Sequence, residues 1–496
     1  MDHLCNACSV AASGGESMVR PLTTGSAWRW HRIVRCAVVT IACLALHGCN
    51  DSAVDQRPFP PPPSPPAPPP PASQVTATIT ADTSTRFQVM TGWEAVTQAG
   101  QDEAGFAGWQ QQLLDLAAND LGLNRVRLEI RAGVEHPVDH DAAYFAGTIT
   151  ESEWRPTRYV VVNDNADPNV INPAGFHFTA LNRSVTTVVL PLRQRLEARG
   201  ERLYVNLNYV AFNPSTGTTH LDPAEYAEFL LAAFQHMQRT FGFVPDAVEV
   251  ILEPDNKTPW RGTLIGQAVV AAGNRLAAAG FAPEFIAPST MSMANAVPYL
   301  DQMAAVPGAL TYLREVSYHR YAGVSDANLA AIRTRASQLG LRTAMLEHIG
   351  SDVEDLFRDL TIANVSAWQQ FTLAYPTPDN GAQYYTITGG RPVMGARTGP
   401  LRQYFHYVRR GAHRIAATSD NADVRPVGFT NPGGGPVVVV HAKGAETLAV
   451  RGLRPGRYLI TNSNPAAVLA TTATVGTDGA LRFEAIAGVI TVAWQP

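Results

Sequence analysis

Short β-rich runs alternate with amphipathic helical segments through most of this chain, and this alternation limits the folds that it can adopt. Alternating strands and helices are typical of βαβ units, which build a parallel sheet. The segment 222–241 is an example of the helices, because Asp222 suits the N-cap, Pro223 the first helical position and Gly242 the C-terminal stop. Similar helices are predicted over 262–279, 326–339 and 352–364.

Eight β-rich runs can be counted between these helices, and eight parallel strands close a barrel. We therefore predict an α/β fold in which residues 77–410 form a (β/α)8 TIM barrel. The predicted barrel strands are 89–92, 126–130, 203–207, 247–252, 285–287, 315–317, 342–346 and 366–371.

From Gly411 onward the pattern changes to short runs of valine, leucine and threonine separated by glycine and proline turns. Such a pattern is typical of antiparallel sheets, so we predict a C-terminal all-β sandwich domain over 411–496. The stretch 74–88 is also β-rich and precedes the barrel, so it can add a strand to the sandwich.

The N-terminal region has the features of an export signal. Basic residues between 29 and 35 precede an apolar run, 37–46, that is too short for a permanent membrane span. The run ends in Leu46-His47-Gly48-Cys49, which resembles a bacterial lipobox. We therefore predict a signal peptide over 1–49 and a lipid anchor on Cys49, either periplasmic or at the cell surface; an ordinary signal peptide and secretion is the alternative.

Residues 50–76 are rich in proline, which favours an extended polyproline II spacer between the anchor and the barrel. The net charge is -4 and only 16% of the residues are charged, so nothing indicates a nucleic-acid partner, and we expect a neutral or mildly polar substrate. All five cysteines lie within the first 49 residues, which excludes disulfides and cysteine metal sites from the rest. We expect a monomer.

Two glutamates follow predicted barrel strands. Glu253 comes after the apolar run 248–252 and precedes Pro254, and Glu347 comes after Ala344-Met345-Leu346. The active sites of such barrels lie at the carboxyl ends of the strands, and a glycosidase needs two carboxylates that flank the scissile bond. The two positions predict such a pair, although a strand-end glutamate can also serve as an ion-pair partner of an arginine.

Histidine and aspartate also cluster at 136–141, but their spacing matches no firm pattern of metal ligands, and we predict neither a metal nor a cofactor. The chain has no G-x-S-x-G elbow, no H-E-x-x-H helix and no phosphate-binding loop of the G-x-x-x-x-G-K type. The absence of these rival motifs favours the glycosidase interpretation.

Further motifs accompany the two glutamates. They are Gly122-Leu123-Asn124-Arg125-Val126-Arg127-Leu128, His319-Arg320-Tyr321, Ala367-Trp368-Gln369-Gln370-Phe371 and the aromatic and basic segment 404–415. Together they resemble glycoside hydrolase clan A, and within it family 30, the relatives of glucosylceramidase and glucuronoxylanase. The resemblance extends from about residue 89 to residue 415.

The resemblance implies a retaining mechanism without a cofactor, in which Glu253 is the acid/base and Glu347 the nucleophile. It further implies that Arg127 hydrogen-bonds the nucleophile and that Trp368 is an aromatic platform for a sugar ring. The substrate-binding residues that it implies on strands two, six and eight are Arg127, His319, Tyr321 and Trp368.

Two positions depart from the family pattern. Clan A enzymes usually carry an asparagine immediately before the acid/base, where its amide binds the substrate 2-hydroxyl, and this chain has Leu252. Possible replacement donors are Asn206, Asn208 and Asn256, of which we assign Asn208 to the site. The family usually has a glycine-rich turn where this chain has Trp93 and Glu94, and we expect these side chains to reshape one side of the cleft, with Trp93 in contact with substrate.

The sequence thus predicts an exported retaining β-glycoside hydrolase that acts on a polysaccharide or an oligosaccharide. Two alternatives stay open. Leu252 and the altered first strand are compatible with a non-catalytic carbohydrate-binding protein on a hydrolase-like barrel. Because strand-end glutamates are widely shared, a clan A glycosidase of another family is the second alternative.

Overall fold

The computed structural model describes residues 74–212, 218–375, 377–463 and 470–495. The predicted signal peptide, Cys49 and the proline-rich spacer up to residue 73 lie outside the described residues. Among the described residues, no helix is both long enough and apolar enough to cross a membrane.

Eight parallel strands close into a barrel, which confirms the predicted fold class. Each strand pairs with the next along the chain, and the last pairs with both its predecessor and the first. A strand that precedes them, β1 (Ala77–Val89), belongs to a second sheet. The barrel strands are β2 (Gly92–Val96), β3 (Arg125–Arg131), β4 (Tyr204–Val210), β5 (Ala247–Glu249), β6 (Glu284–Ser292), β7 (Leu313–Ala322), β8 (Arg342–Glu347) and β9 (Val365–Tyr375).

The first barrel strand begins where the prediction ended. Residues up to Val89 belong to β1, and β2 starts at Gly92, whose φ of +146° is unfavourable for residues with a side chain. A Cβ at Gly92 would also lie 2.7 Å from Oδ1 of Asn124, which accepts a hydrogen bond from the Trp93 amide. This close contact between Gly92 and Asn124, which immediately precedes β3, fixes the start of β2 at Gly92.

Helices connect the strands and cover the outside of the barrel. Pro223–Phe241 is capped as predicted, since Asp222 accepts a hydrogen bond from the Ala224 amide at 2.8 Å and Gly242 has a φ of +71°. The α-helices are Phe106–Asp115, His140–Phe145, Glu151–Trp154, Thr179–Ser184, Leu190–Glu197, Pro223–Phe241, Gly262–Ala278, Ala296–Ala304, Ala309–Tyr312, Asp326–Gln338, Val353–Arg358 and Thr398–Phe405.

The remaining strands extend the barrel sheet by a hairpin and build the second sheet. These strands are β10 (Gln383–Thr388), β11 (Arg391–Met394), β12 (His413–Ser419), β13 (Val424–Thr430), β14 (Pro436–Ala442), β15 (Glu446–Arg451), β16 (Arg457–Asn462), β17 (Thr471–Thr474), β18 (Ala480–Ala485) and β19 (Gly488–Gln495). In the second sheet the strand order is β17-β16-β19-β14-β13-β12-β1-β15-β18, and all pairings except β1 with β15 are antiparallel.

Strand β14 is buried on both faces and joins the two hydrophobic cores. Val438 and Val440 belong to the core of the second sheet, whereas Val437 and Val439 belong to the core that contains the barrel and its helices. Since successive side chains of a strand point to opposite faces, one strand contributes to both cores. The barrel and the second sheet therefore form one compact unit.

A polar contact reinforces this junction. His441 of β14 lies 3.1 Å from Oε1 of Glu354 through Nδ1, and 2.7 Å from the Tyr404 hydroxyl through Nε2. Arg425 also donates to Glu354. The hydrogen bond from His441 and the ion pair with Arg425 lower the pKa of Glu354 to about 2. The Glu354 carboxylate is therefore ionised in the folded protein at every pH well above 2.

Glu228, on the helix Pro223–Phe241, is a buried carboxyl that makes stability depend on pH. Its side chain is 1% exposed, and burial, with Asp164 nearby, raises its pKa to about 8 from 4.5. Since the unfolded chain loses this proton near pH 4.5 and the folded protein only near pH 8, stability falls as pH rises through that window. We expect Glu228→Gln to match wild type at pH 4.5 and to melt several degrees higher at pH 8.

Thermal unfolding of both proteins at the two pH values, followed by circular dichroism, checks this prediction. Glu484→Gln, on strand β18 of the second sheet, is the control, because that side chain is exposed. Equal melting temperatures of Glu228→Gln and wild type at pH 8 would contradict it.

Candidate active site

The interior of the barrel is lined by alternate residues of each strand. On β3 these are Arg125, Arg127, Glu129 and Arg131, in order from the floor to the rim. At the floor, Arg125 forms ion pairs with Glu94 and with Glu315, and all three side chains are fully buried. Glu94 therefore neutralises Arg125 and has no surface for a sugar, which corrects its expected place in the cleft.

Glu347 is held above this floor by two donors. It is the last residue of β8, and its Oε2 accepts a hydrogen bond from the buried guanidinium of Arg127. The Tyr321 hydroxyl donates to Oε1 at 2.9 Å. Burial raises the pKa of Tyr321 well above its usual value, and Glu347 raises it further, so the hydroxyl remains a donor. Both carboxylate oxygens of Glu347 are thus oriented.

Glu253 lies in the loop after β5, four residues beyond the end of that strand. Its Oε1 is 3.0 Å from Nδ1 of His319, and its Oε2 accepts a hydrogen bond from the Asn256 amide at 2.8 Å. The backbone of Glu253 is left-handed, with a φ of +48°, which is uncommon for a residue with a side chain. The amide of Glu253 bonds to the Ser289 carbonyl at 3.1 Å, which ties this turn to β6.

The two glutamates meet at the mouth of the barrel. One oxygen of Glu253, one oxygen of Glu347 and one ring nitrogen of His319 all lie within 4.8 Å of one another. The glutamate side chains are 8% and 9% exposed, so each keeps a small surface toward the opening. His319 is fully buried, and burial lowers its pKa, so the ring is mainly neutral near pH 7. It contacts Glu253 rather than the opening.

Arg127 is surrounded by carboxylates. Besides Glu347, it lies 3.7 Å from Glu129 of the same strand, and the charge of Glu249 acts on it from β5. Burial alone would lower the pKa of Arg127, but Glu347, Glu249 and Glu129 raise it well above its usual value. Burial raises the pKa of Glu249, while Arg127 opposes the rise. Arg127 therefore stays charged, and its single positive charge compensates the three carboxylates only in part.

Glu253, His319 and Glu347 are close enough to hold a cation, the one such group of three found among the described residues. The donors around them oppose it, since Arg127 sets a positive charge against Glu347 and Asn256 donates to Glu253. The carboxylates of the 136–141 cluster have structural partners instead. Asp139 caps the helix His140–Phe145, and Asp141 accepts a hydrogen bond from the Trp154 indole at 2.7 Å.

Of the predicted substrate contacts, Arg127 and His319 are fully buried and contact the two glutamates instead of the opening, and three more are contradicted. Trp368 and Trp93 pair in register on β9 and β2 and are both fully buried on the outer face of the barrel. Trp93 stacks on Phe405 with ring centroids 4.6 Å apart, and the Trp368 indole donates to Asp359 at 2.9 Å. Neither ring can therefore stack on a sugar. Asn208 faces the interior but is also fully buried, so it has no surface for substrate.

The place of the usual asparagine is apolar. Leu252 packs with Tyr159 and Val210 on the side of the barrel next to Glu253. Of the possible replacement donors, Asn206 is fully buried and donates to Glu249 at 2.8 Å, whereas Asn256 is partly exposed and reaches Glu253. Of these three asparagines, Asn256 is thus the one with an exposed surface.

Sequence reasoning missed several polar and aromatic residues around the opening. Glu129 and Arg131 follow Arg127 at intervals of two, so strand alternation would have found them. Phe371 lies under Arg127, with the guanidinium carbon 5.8 Å from its ring centre, and the sequence had shown it only as the last residue of the motif that contains Trp368. Asn256 was named as one of three possible replacement donors, but Asn208 was assigned to the site in its place.

No family model and no curated protein matches the chain, but solved structures do. The catalytic domain of a glycoside hydrolase family 30 xylanase C from Talaromyces cellulolyticus aligns with a TM-score of 0.64 and 16% identity, over 84% of this chain and 100% of that chain. A family 30 endoxylanase from Clostridium papyrosolvens aligns with a TM-score of 0.59 and 17% identity, over 84% and 100%.

An endo-β1,6-glucanase also aligns, with a TM-score of 0.59 and 15% identity, over 86% of this chain and 96% of that chain. All three identities are low, so the likeness concerns the fold. The chain has the barrel-and-sheet fold of glycoside hydrolase family 30 structures, as the sequence resemblance implied.

Proposed function

We propose that this protein is a retaining β-glycoside hydrolase with Glu347 as the nucleophile and Glu253 as the acid/base. The observation that carries the proposal is the approach of the two carboxylates to within 4.8 Å at the mouth of the barrel. Retaining glycosidases hold their carboxyl groups about 5–5.5 Å apart, whereas inverting enzymes leave about 6.5–9.5 Å for a water molecule. The approach of one oxygen of Glu253 to one oxygen of Glu347 within 4.8 Å is closer to the retaining arrangement and supports it.

In the first step Glu347 attacks the anomeric carbon and Glu253 donates its proton to the departing oxygen. The bond from the sugar to the aglycone breaks as the bond to Glu347 forms. In the second step Glu253 removes a proton from water, which attacks the same carbon and releases Glu347. Two inversions give net retention of configuration.

The surroundings of each glutamate suit its proposed role. Glu347 accepts hydrogen bonds from a guanidinium and a hydroxyl, which favour the ionised form that a nucleophile needs. Glu253 contacts a buried neutral imidazole and an amide, neither of which carries a full positive charge. Glu253 therefore lacks the cationic partner that Glu347 has, which suits a residue that must carry a proton in the first step.

The substrate that we propose is a β-linked polysaccharide or oligosaccharide, since the structures with this fold include xylanases and an endo-β1,6-glucanase. We also propose that the protein is exported and held at the membrane through Cys49, and that it acts as a monomer. The basic and apolar N-terminal sequence and its lipobox-like end support the anchor. Labelling of the expressed protein with a radioactive fatty acid, with Cys49→Ser as the control, tests it.

Proton NMR of the products is the direct test of the catalytic proposal. Purified protein is incubated with a panel of plant and microbial β-linked polysaccharides, beside Glu253→Gln and Glu347→Gln, and the anomeric signals are followed from the first turnover. We expect β products from wild type alone. Products that first appear as α anomers would refute the assigned roles.

Leu252, in place of the usual asparagine, favours one rival, a carbohydrate-binding protein without catalysis. Hydrogen bonds to the 2-hydroxyl strengthen in the transition state, so their loss affects turnover more than binding. Saturable binding of a polysaccharide without any product in the same experiment would support that rival.

A further inference from the structure

Two arginines with unused donors lie at the rim of the barrel. Arg131 is the last residue of β3, and its side chain is 23% exposed. Arg158 follows the short helix Glu151–Trp154 and is half-buried. Both belong to the segment that leads from β3 to the helix Thr179–Ser184, and neither takes part in the catalytic steps proposed above.

One indole ring holds both guanidinium groups. The guanidinium carbons of Arg131 and Arg158 lie 5.3 Å and 5.0 Å from the ring centre of Trp154. Tyr144 stacks on Trp154 with ring centroids 4.2 Å apart and an interplanar angle of 8°, so it covers one face of the indole. Both guanidinium carbons are thus within cation–π range of the same indole ring.

The hydrogen-bonding capacity of these groups is largely unused. Within the described residues, Arg158 donates only through Nε, to the Arg155 carbonyl at 3.2 Å. The nearest carboxylate to Arg131 is Asp141, at 4.0 Å, and the same oxygen of Asp141 accepts from the Trp154 indole. Apart from this ion pair, the terminal nitrogens of the two guanidinium groups have no partner among the described residues, and the fork of a guanidinium matches a carboxylate or a sulfate.

The two cations also repel each other. Burial lowers the pKa of Arg158, and the nearby charge of Arg131 lowers it further. Burial lowers the pKa of Arg131 as well, but Tyr159, Asp141 and Glu129 raise it above its usual value, so the cost of the like charges falls on Arg158. This cost is compatible with a site that a ligand completes.

Arg131 and Arg158 lie on the side of the barrel that carries Glu253. Arg131 is in register with Val210, and Val210 packs with Tyr159 and Leu252, which immediately precedes Glu253. The ring of Tyr159 in turn lies under Arg158, with the guanidinium carbon 5.4 Å from its centre. A saccharide that reaches Glu253 from this side would pass the two arginines.

We propose that Arg131 and Arg158 form a subsite for an anionic group, a carboxylate or a sulfate ester, carried by the saccharide. The proposal rests on the proposed function, and it departs from the expectation of a neutral or mildly polar substrate. That expectation used the net charge of the whole chain, which does not report two cations at the rim.

Binding to Glu347→Gln protein tests this subsite without turnover. Isothermal titration compares three probes that share one backbone: a β-linked glucose hexasaccharide, the same compound oxidised to carboxylates at C6, and the same compound sulfated at C6. We expect at least one anionic probe to bind at least about tenfold more tightly than the neutral one. The anionic probe that binds more tightly identifies whether the group on the natural saccharide is a carboxylate or a sulfate ester.

Arg131→Gln and Arg158→Gln, each in the Glu347→Gln protein, should remove this preference, and Arg158→Lys should restore only part of it because lysine lacks the fork. Arg193→Gln is the matched control, since Arg193 is an exposed arginine on the helix Leu190–Glu197 that pairs with Glu197. Unfolding curves verify that each variant is folded.

Equal binding of the three probes, binding of none, or an anion preference that survives both arginine substitutions would overturn the subsite. These outcomes are separate from the catalytic test. If wild type hydrolyses nothing while the anionic probe still requires Arg131 and Arg158, the subsite stands and the proposed function fails. If β products form but the three probes bind equally, the proposed function stands and the subsite fails.

Discussion

Glu347→Gly is expected to reduce kcat/KM on an aryl β-glycoside by about 10^4-fold or more, because no other carboxylate can form the covalent intermediate. Removing the side chain leaves a space beside Arg127 and Tyr321 that a small anion can fill. Azide should therefore restore part of the activity. Since azide would attack from the side that Glu347 occupied, and no second displacement follows, the glycosyl azide should be the α anomer.

Glu253→Gly is the matched control, because it removes the other carboxylate of the pair. An activated aryl leaving group departs without an acid, so formation of the glycosyl-enzyme should continue and its hydrolysis should slow. Azide would then attack the glycosyl-enzyme and give the β anomer. The configuration of the two azides, read by NMR, thus assigns the roles independently. The β azide from Glu347→Gly, or no rescue of either variant, would contradict the assignment.

Arg127→Met is expected to destabilise the protein by about 3–5 kcal/mol and to abolish measurable turnover. Arg127 is fully buried and is the cation that Glu347, Glu249 and Glu129 share. Breaking a buried ion pair from one side leaves uncompensated carboxylates, which cost more than the pair itself contributes. Urea unfolding at constant pH, with turnover measured on the same samples, gives both quantities.

The pH dependence of the free energy of unfolding distinguishes the cost of uncompensated carboxylates from a simple loss of packing. Carboxylates without a cation are disfavoured in the folded state only when they are ionised, so their cost appears as pH rises through the unfolded value of about 4.3. The deficit of Arg127→Met should therefore be smallest near pH 4 and largest above pH 6. Arg127→Lys keeps the charge and should lose less stability. A deficit that does not vary with pH would show that packing, rather than charge, explains the loss.

The barrel could be predicted because each level of the sequence indicated the same structure. The strand count, the helix caps at Asp222 and Gly242, and the change of pattern after Gly411 all agreed with one architecture. Glu253 and Glu347 could be located for a related reason. A polar residue that ends an apolar run marks the end of a buried strand, and the strand ends of a barrel converge on one opening.

The face toward which a side chain points could not be predicted. Parallel barrel strands are buried on both sides, so β9 has no alternation of apolar and polar residues that would separate its inner and outer faces. Trp368 and Trp93 were assigned to the inner face, and a shift by one residue places them outside. Asn208 does face inward, but its depth depends on the packing of neighbouring strands, which no local pattern contains.

The pairing of β1 bears on the order in which the chain can fold. Strand β1 lies between β12 and β15, whose residues are made more than 300 positions later. While the chain emerges from the ribosome, β1 remains an unpaired strand, and its hydrogen-bonding edge is open to other chains. Completion of the second sheet must wait until nearly the whole polypeptide is available. Synthesis and folding of this protein are therefore separated in time, and chaperones that shield an extended N-terminal segment would raise its yield.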